Sequence, residues 1–463
     1  MDSTIALSKR LSSSETQFYR YHSTLCIVIM ARILILISGH LCNAPRPQKE
    51  ADALAAAGHE VMIAGMWFDD KFADRDRQLL SGKSWSFHPI VDFRGVTFAQ
   101  KLQRLRMRLQ AKLARELFQK TAIALPDLLG YGAKAMLQFA KTHRADLTIV
   151  HSEVGLWVAQ QLRQQSYTVG VDFEDWFSED LLPSARASRP IAWIRALEAE
   201  LARHCTYCLA PSQALATAIA NAYQSAPPVV IYNSFPCGEH LPNQLQYHDR
   251  ENLQNPSLHW FSQTIGPGRG LETLLAALPH LKATVDIHLR GNCPAVYRDW
   301  LKANIPDGWQ DRIWIHDTVA NHLLPARIAE HDIGLALETS TIPSRDLTVT
   351  NKLFQYLQAG LAVIATDTAG QQEILRHVSQ AGHLIPSDDT IALATAINQW
   401  VQQPEQLAIA KEAAVQASMA LAWETQAPKL VRQAEVAIRS EHNSEKNAAQ
   451  PGCTSLSQSS PTV

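Results

Sequence analysis

The feature that most limits what this chain can fold into is an alternation, run through twice, of short apolar stretches with longer stretches of helical periodicity. In the first half, Arg32–Ser38, Glu60–Gly65, Leu147–His151, Thr168–Asp172 and Tyr207–Ala210 read as strands. Gln48–Gly58, Ala99–Lys120, Lys134–His143, Gly155–Gln164, Ile191–Arg203 and Ser212–Tyr223 read as the helices between them. The second half repeats the theme, with strands at Leu258–Ser262, Val285–Arg290, Ile313–His316, Ile333–Leu337, Ala362–Ala365 and His383–Ile385. Strands that each lead into a helix form parallel sheets covered on both faces. The fold class is therefore α/β, with two Rossmann-like, doubly wound parallel-sheet domains facing a central cleft. The seam falls where VVIYNSFP (Val229–Pro236) gives way to polar sequence, so the domains are expected at 30–236 and 237–422. Sheets of this kind hold ligands at the carboxyl ends of their strands, so function is to be sought in the loops that follow them.

Composition removes several classes. Forty-two basic against 44 acidic residues in 463 give a formal net charge of -2, which excludes a wholesale nucleic-acid binder. The seven cysteines are odd in number and scattered, which fits a reducing compartment better than a disulfide framework. No stretch reaches the ~18 consecutive apolar residues of a membrane span. The longest, Leu25–Ile37, is interrupted by Arg32 and lacks a small-residue cleavage site. Residues 1–29 are polar and unpatterned up to Thr24, so Met30 is expected to be the true start, with 1–29 disordered or untranslated. A loose polar tail is expected over 441–463.

Several loops carry more specific patterns. The first strand runs into Ser38-Gly39-His40-Leu41, and TIVHSEVGLWVAQQL ends a strand at His151. VGVDFEDWFSED then ends a strand in Asp172, Glu174 and Asp175, and YCLAPSQALATAIANAY leads to the seam with Ser212 placed to cap a helix. Together these pieces resemble the amino-terminal domain of GT-B glycosyltransferases, and the last resembles the serine–helix–asparagine passage of family 4. HWFSQTIGPGRGLETLLAAL resembles the strand–loop–helix that opens the donor-binding domain of that family, with Arg269-Gly270 at its Arg/Lys-Gly position. TVTNKLFQYLQAGLAVIATDTAGQQEIL (Thr348–Leu375) resembles its Pro-Asn-Lys-x-x-Glu-Tyr-x-x-x-Gly-x-Pro-Val segment, and WETQAPKLVRQAEVAI resembles the terminal helix, expected over 423–440, that crosses back to the first domain.

The resemblance implies transfer of a sugar from a nucleotide-diphosphate sugar to an acceptor hydroxyl, with retention, no metal and no other cofactor. It implies cytoplasmic work in cell-envelope, polysaccharide or glycolipid synthesis. The substrate-binding residues it implies are Gly39, Glu153, Gly268, Arg269, Gly270, Asn351, Lys352, Gln355, Gly370 and Glu373. The catalytic candidates are His151, Glu174 and Asp175. Two departures stand out. The ribose-contacting glutamate of the family is Gln355, and an early basic position is Gln263. Both are neutral, which keeps two alternatives open: a non-catalytic nucleotide-sugar-binding protein, and a nucleotide-sugar epimerase of the same fold.

The chemistry supports the resemblance on its own terms. A diphosphate calls for backbone N–H groups, a helix N-terminus and fixed cations. Gly266-Pro267-Gly268-Arg269-Gly270 offers flexible backbone and one guanidinium, although a tight turn with a solvated arginine has the same sequence. Lys352 opposes the dipole of the helix it opens, so an anion is expected in front of it. On that reading both cations are exposed, and removing either should leave stability nearly unchanged. Glu174 and Asp175 follow a strand and can orient or deprotonate a hydroxyl; the plainer alternative is a solvated loop or a helix cap. For His151 the alternative is a hydrogen-bonded structural histidine. Cys205-x-x-Cys208 has no second pair at zinc spacing and reads as two buried thiols.

One segment lies apart from these motifs. Lys101–Lys120 carries seven basic residues and one acidic residue, with Leu102, Leu105, Leu109, Leu113 and Leu117 at helical spacing. The leucines are expected to pack on the domain with the cations in water. The alternative is a helix that lies on anionic lipid at the inner face of the cytoplasmic membrane.

Overall fold

A computed structural model describes residues 30–95, 97–237, 247–250 and 252–448. The expectations about 1–29, and those about 449–463, lie outside the described residues. The first sheet has seven strands, β1 (Arg32–Leu36), β2 (Glu60–Trp67), β3 (Ser86–Asp92), β4 (Leu147–Val150), β5 (Val169–Asp172), β6 (Tyr207–Ala210) and β7 (Val229–Val230). Their order is β3-β2-β1-β4-β5-β6-β7, with every pair parallel. The second has six: β8 (Ser257–Thr264), β9 (Asp286–Asn292), β10 (Ile313–His316), β11 (Ile333–Ala336), β12 (Ala362–Thr366) and β13 (Gly382–Ile385). They run β10-β9-β8-β11-β12-β13, again all parallel. The chain is a pair of doubly wound α/β sheets.

Strand pleat explains why the apolar runs are continuous. Ile33, Ile35 and Ile37 enter the core on one face of the first sheet, and Leu34 and Leu36 enter the core on the other. Both faces are covered, so a run that alternates in direction need not alternate in polarity. Strand β3 escaped the sequence reading because SFHPIVD is a Pro-containing edge strand, only partly buried.

The helix Trp423–Ala448 starts beside the second domain and lies on the first. Its Trp423, Leu430, Ala434, Ala437 and Ile438 join the core that holds Ile33 and Ile35. It runs past the expected end at 440, because SEHNSEKNA continues with helix-compatible residues. Among the described residues, no helix is long and apolar enough to cross a membrane.

The two domains are tied by specific polar contacts. Ser212 caps its helix by accepting from Leu215 N–H at 3.0 Å and donates to the Leu347 carbonyl at 2.6 Å. The Glu373 carboxylate accepts from the N–H groups of Gln213 at 2.8 Å and Ala214 at 3.0 Å, and from the Tyr232 hydroxyl at 2.6 Å. An anion at the N-terminus of the helix Gln213–Tyr223 is favoured by that helix's dipole, so this clasp holds the strand-end edges of the sheets face to face.

Candidate active site

The second-domain wall begins where β8 turns into the helix Leu271–Ala277. Gly270 sits at φ 78°, and a Cβ there would lie 2.3 Å from the Leu337 Cβ. Only glycine lets this loop lie against the end of β11. The loop sets the Arg269 guanidinium on the Ser262 hydroxyl at 3.0 Å. Among the described residues no carboxylate pairs with Arg269. Gly268 donates its N–H to Glu272 at 3.2 Å. A cavity of about 160 Å³ opens between Gly268, Gly270, Glu338, Thr339 and Thr366. On the far side of the loop a wider hollow of about 510 Å³ is lined by Ile265, Pro267, Pro294, Tyr297 and Trp300.

The loop after β11 brings in Glu338, and the helix Asn351–Gln358 brings in Lys352 and Gln355. Lys352 Nζ donates to Glu338 Oε1 at 2.5 Å, and the Thr350 hydroxyl donates to the same oxygen at 3.3 Å. Burial works to raise the Glu338 pKa, but Lys352, with Arg269 and Arg345 nearby, outweighs it and holds the carboxyl below its usual range. The anion expected in front of Lys352 is thus supplied by the protein. That corrects the expectation of an exposed cation: Lys352 is 9 % exposed. Gln355 is equally recessed, and its amide has no hydrogen-bond partner among the described residues.

The first-domain wall is built on a buried charge network. His151, just past β4, is held by two carboxylates: Nδ1 on Glu174 at 2.9 Å and Nε2 on Glu50 at 2.6 Å. Burial opposes charge on this ring, but the two carboxylates win and push its pKa up to about 10, so it is an imidazolium at neutral pH. The Tyr207 hydroxyl also donates to Glu50, while Arg46 pairs with Asp172 at 2.6 Å and reaches the Ile231 carbonyl at 2.6 Å. Glu50, His151 and Asp172 could each turn one ligand atom to a cation. The Arg46 guanidinium and the imidazolium already supply positive charge there, which makes the cluster an ion-pair network. With both nitrogens engaged, His151 orients Glu174, whose side chain keeps part of its surface open.

The walls meet where Glu174 is followed by Asp175 and Asp180. Asp175 is recessed, and burial together with Asp180 and Glu174 pushes its pKa up to about 7. Burial also raises Asp180, partly offset by Arg345 and Arg269 from the other domain. The Arg345 guanidinium lies 3.9 Å from Asp180, and the Trp176 N–H donates to the Ser344 hydroxyl at 2.9 Å. First-domain carboxylates therefore face second-domain guanidinium groups across the cleft. An anion stabilised by the arginines would lie beside a carboxyl poised near neutrality.

The other sequence candidates fall in several places. Gly39 borders open space at the end of β1, with no heavy atom within 4 Å of where its Cβ would be. Asn351 accepts from the Asn233 amide at 2.8 Å, across the domain seam. Glu153 is ion-paired with Arg189. Gly370 lies so near Thr348 that a Cβ would come within 2.4 Å of its carbonyl, and Glu373 has both oxygens in the interdomain clasp. Gln263 is exposed. Cys205 and Cys208 are free thiols, and burial pushes Cys205 up to about 12. Sequence reasoning missed Glu50, Arg46, Asp180, Glu338 and Arg345. Of these only Glu338, a lone acid after an apolar strand, left a local signal.

Residues 256–403 match the family model of glycosyl transferases group 1. No curated protein matches the chain in sequence. Among solved structures, it is similar to sucrose-phosphate synthase from Thermosynechococcus elongatus, at 15 % identity and TM-score 0.60, over 90 % of this chain and 100 % of that one. It is also similar to Anabaena HepE in complex with UDP and glucose, at 19 % identity and TM-score 0.61, over 89 % and 100 %. A third is WaaG, a glycosyltransferase involved in lipopolysaccharide biosynthesis, at 12 % identity and TM-score 0.57, over 86 % and 98 %. These likenesses show the GT-B fold. The domain match adds that the second domain is of the glycosyl transferases group 1 type.

Proposed function

We propose that this glycosyltransferase moves a sugar, with retention of anomeric configuration, from a nucleotide-diphosphate sugar to a hydroxyl of a saccharide or lipid-linked saccharide, without a metal. The pathway is cell-envelope, polysaccharide or glycolipid synthesis in the cytoplasm, at the inner membrane face. One observation carries the reading: Arg269, without a carboxylate partner among the described residues, stands with Arg345 opposite Asp175 and Asp180. As the bond from the anomeric carbon to the phosphate oxygen breaks, the leaving diphosphate gains charge. Arg269 and Arg345 then interact more strongly with it than in the ground state. The acceptor oxygen bonds to the anomeric carbon on the face the diphosphate leaves. Asp175, poised near neutral, takes the hydroxyl proton, and Glu174, held by His151, orients the acceptor. The Gln355 amide, without a partner among the described residues, suits the ribose hydroxyls, since it both donates and accepts.

The HepE structure holds UDP and glucose, which makes UDP-glucose the first donor to try, followed by GDP and ADP sugars. Donor consumption, with product anomer read by NMR, tests the proposal. Sugar linked to an acceptor in the donor's configuration supports it, and an inverted product refutes retention. The neutral Gln355 favours a second reading, a binding protein, and nucleotide binding without any turnover would select it. An isomerised free donor would select an epimerase.

A further inference from the structure

The helix Phe98–Thr121 does not pack its leucines. Its buried residues are Ala111 and Ala114, with Met107 resting on the first-domain core. Leu102, Leu105, Leu109 and Leu113 remain 51–63 % exposed, and Phe98 83 %. At about 100° per residue this ridge points roughly 170° away from the Ala111–Ala114 face. That overturns the expectation that the stripe is core. Of the 21 large apolar side chains exposed among the described residues, seven lie between Phe98 and Leu125. Soluble surfaces seldom gather apolar groups so densely without a use for them.

Charge says what the ridge meets. On the same helical count, Lys101, Arg104, Arg108, Lys112 and Arg115 share one flank between ridge and packed face, and Glu116 is the only acid from Lys101 to Lys120. A second copy laid on the ridge would bring two such cationic flanks together, whereas anionic headgroups would neutralise them. The helix is also ready-made. Thr97 accepts from Gln100 N–H at 3.3 Å, the Gln100 side chain accepts from Thr97 N–H at 2.9 Å, and Ala122 ends it at φ 57°.

We propose that the helix Phe98–Thr121 is a docking surface for anionic lipid, with the Phe98–Leu113 ridge in the acyl boundary and the basic flank among the headgroups. The helix leaves the end of β3, on the strand-end edge that also carries Glu174 and Asp175. Docking therefore brings the acceptor side of the cleft to the bilayer, and the acceptor is a lipid-linked hydroxyl compound. That last step rests on the proposed transfer reaction; the docking does not.

The test is cosedimentation of the full chain with vesicles of phosphatidylcholine alone or mixed with phosphatidylglycerol, at about 0.1 M and about 1 M salt. The wild type should partition onto the mixed vesicles and not the neutral ones, more weakly at high salt. Leu105→Glu/Leu109→Glu should lower partitioning by about tenfold or more, and Lys101→Glu/Arg108→Glu/Lys112→Glu by a similar factor. All these side chains are exposed, so melting temperature and transfer to a soluble acceptor should stay at wild-type values. No partitioning at low salt, equal binding to neutral vesicles, or a dimer abolished by the leucine variant would each overturn the proposal. A wild type that partitions onto the mixed vesicles but transfers no sugar to any acceptor would instead count against the transferase reading and leave the docking standing.

Discussion

Lys352→Met separates two accounts of the donor wall. If Lys352 were a solvated cation at a helix start, its removal would change stability by no more than about 0.5 kcal/mol. Instead its Nζ lies 2.5 Å from Glu338, in a pair whose side chains are only 11 % and 16 % exposed. Removing one partner of a buried pair costs about 3–5 kcal/mol, because the remaining charge stays buried. Some exposure and the Thr350 hydroxyl reduce that here, so we expect a loss of about 2–4 kcal/mol at pH 7. For a domain of this size that lowers Tm by about 5–15 °C. Glu338→Gln in the same background should return much of it, since a neutral amide tolerates burial better. The pH dependence has a defined sign. In the wild type the Glu338 pKa is depressed, so its contribution is present above the ordinary carboxyl pKa and lost as pH falls through the lower folded value. In Lys352→Met burial takes over and raises that pKa, so the deficit should shrink as the pH is lowered from 7. Urea unfolding of the four proteins of the cycle at pH 7 and pH 5 measures this. A loss within 0.5 kcal/mol at pH 7, or a deficit that grows on acidification, would refute the buried-pair account.

Further outcomes follow from the same geometry. Arg269→Ala should lower kcat by about 10²–10³-fold with little change in donor Kd or Tm, and Arg269→Lys should recover only part of it; wild-type kcat in the alanine variant would remove Arg269 from the leaving-group site. Gln355→Leu should cost about 1–3 kcal/mol of nucleotide affinity by calorimetry while Gln355→Glu binds, and unchanged affinity in the leucine variant would move the ribose elsewhere. Tm should fall below about pH 6.5, because His259, His288 and His331 are buried neutral with depressed pKa values, His288 near 3, and the unfolded chain takes up protons first. It should also decline as pH rises from 6.5 through about 10, because the His151 contribution is complete below the unfolded pKa and vanishes as the imidazolium loses its proton. A flat acid limb would refute the first half, and an alkaline limb unchanged in His151→Gln the second.

How much could be read beforehand follows from whether the cause is local. Strands such as Tyr207–Ala210 and Ile313–His316, and the helix that Lys352 opens, fall where they were expected, because apolar runs, caps and glycine stops are short-range signals. The edge strand β3 did not show, since proline and half-burial blur its pattern. Charge partners were out of reach for the same reason in reverse. Glu50 and His151 are 101 residues apart, Arg46 and Asp172 are 126 apart, and nothing near either residue names its partner. Lys352 was legible as an anomaly without its solution, for the anion it needed lies 14 residues back on another element. The leucine ridge shows the limit of periodicity. Spacing says that the leucines share a face, but small residues such as Ala111 and Ala114 can also let a helix lie close, and spacing cannot choose between the two faces.

The cations around the cleft differ in how far the protein has already neutralised them, and that ordering bears on the chemistry. Arg46 is committed to Asp172 and a carbonyl inside the first domain. Lys352 is committed to Glu338 at hydrogen-bond distance, so a phosphate there would have to displace or share a carboxylate. Arg345 is held only loosely, 3.9 Å from an Asp180 whose own pKa is raised, and protonation of that acid would release it. Arg269 rests on a neutral hydroxyl. A group that must respond to charge appearing in a transition state does most when its field is uncompensated beforehand and its position is already fixed. Arg269 comes nearest to both conditions: among the described residues no carboxylate pairs with it, though Glu338 and Asp180 feel its charge, and Ser262 and the Gly270 turn against Leu337 fix its place. Arg345 meets the first only when Asp180 is protonated. Donor turnover in Arg345→Ala should therefore fall less than in Arg269→Ala, with the gap narrowing as the pH is lowered and Asp180 takes up its proton, and a gap that widens on acidification would refute the release of Arg345 by Asp180.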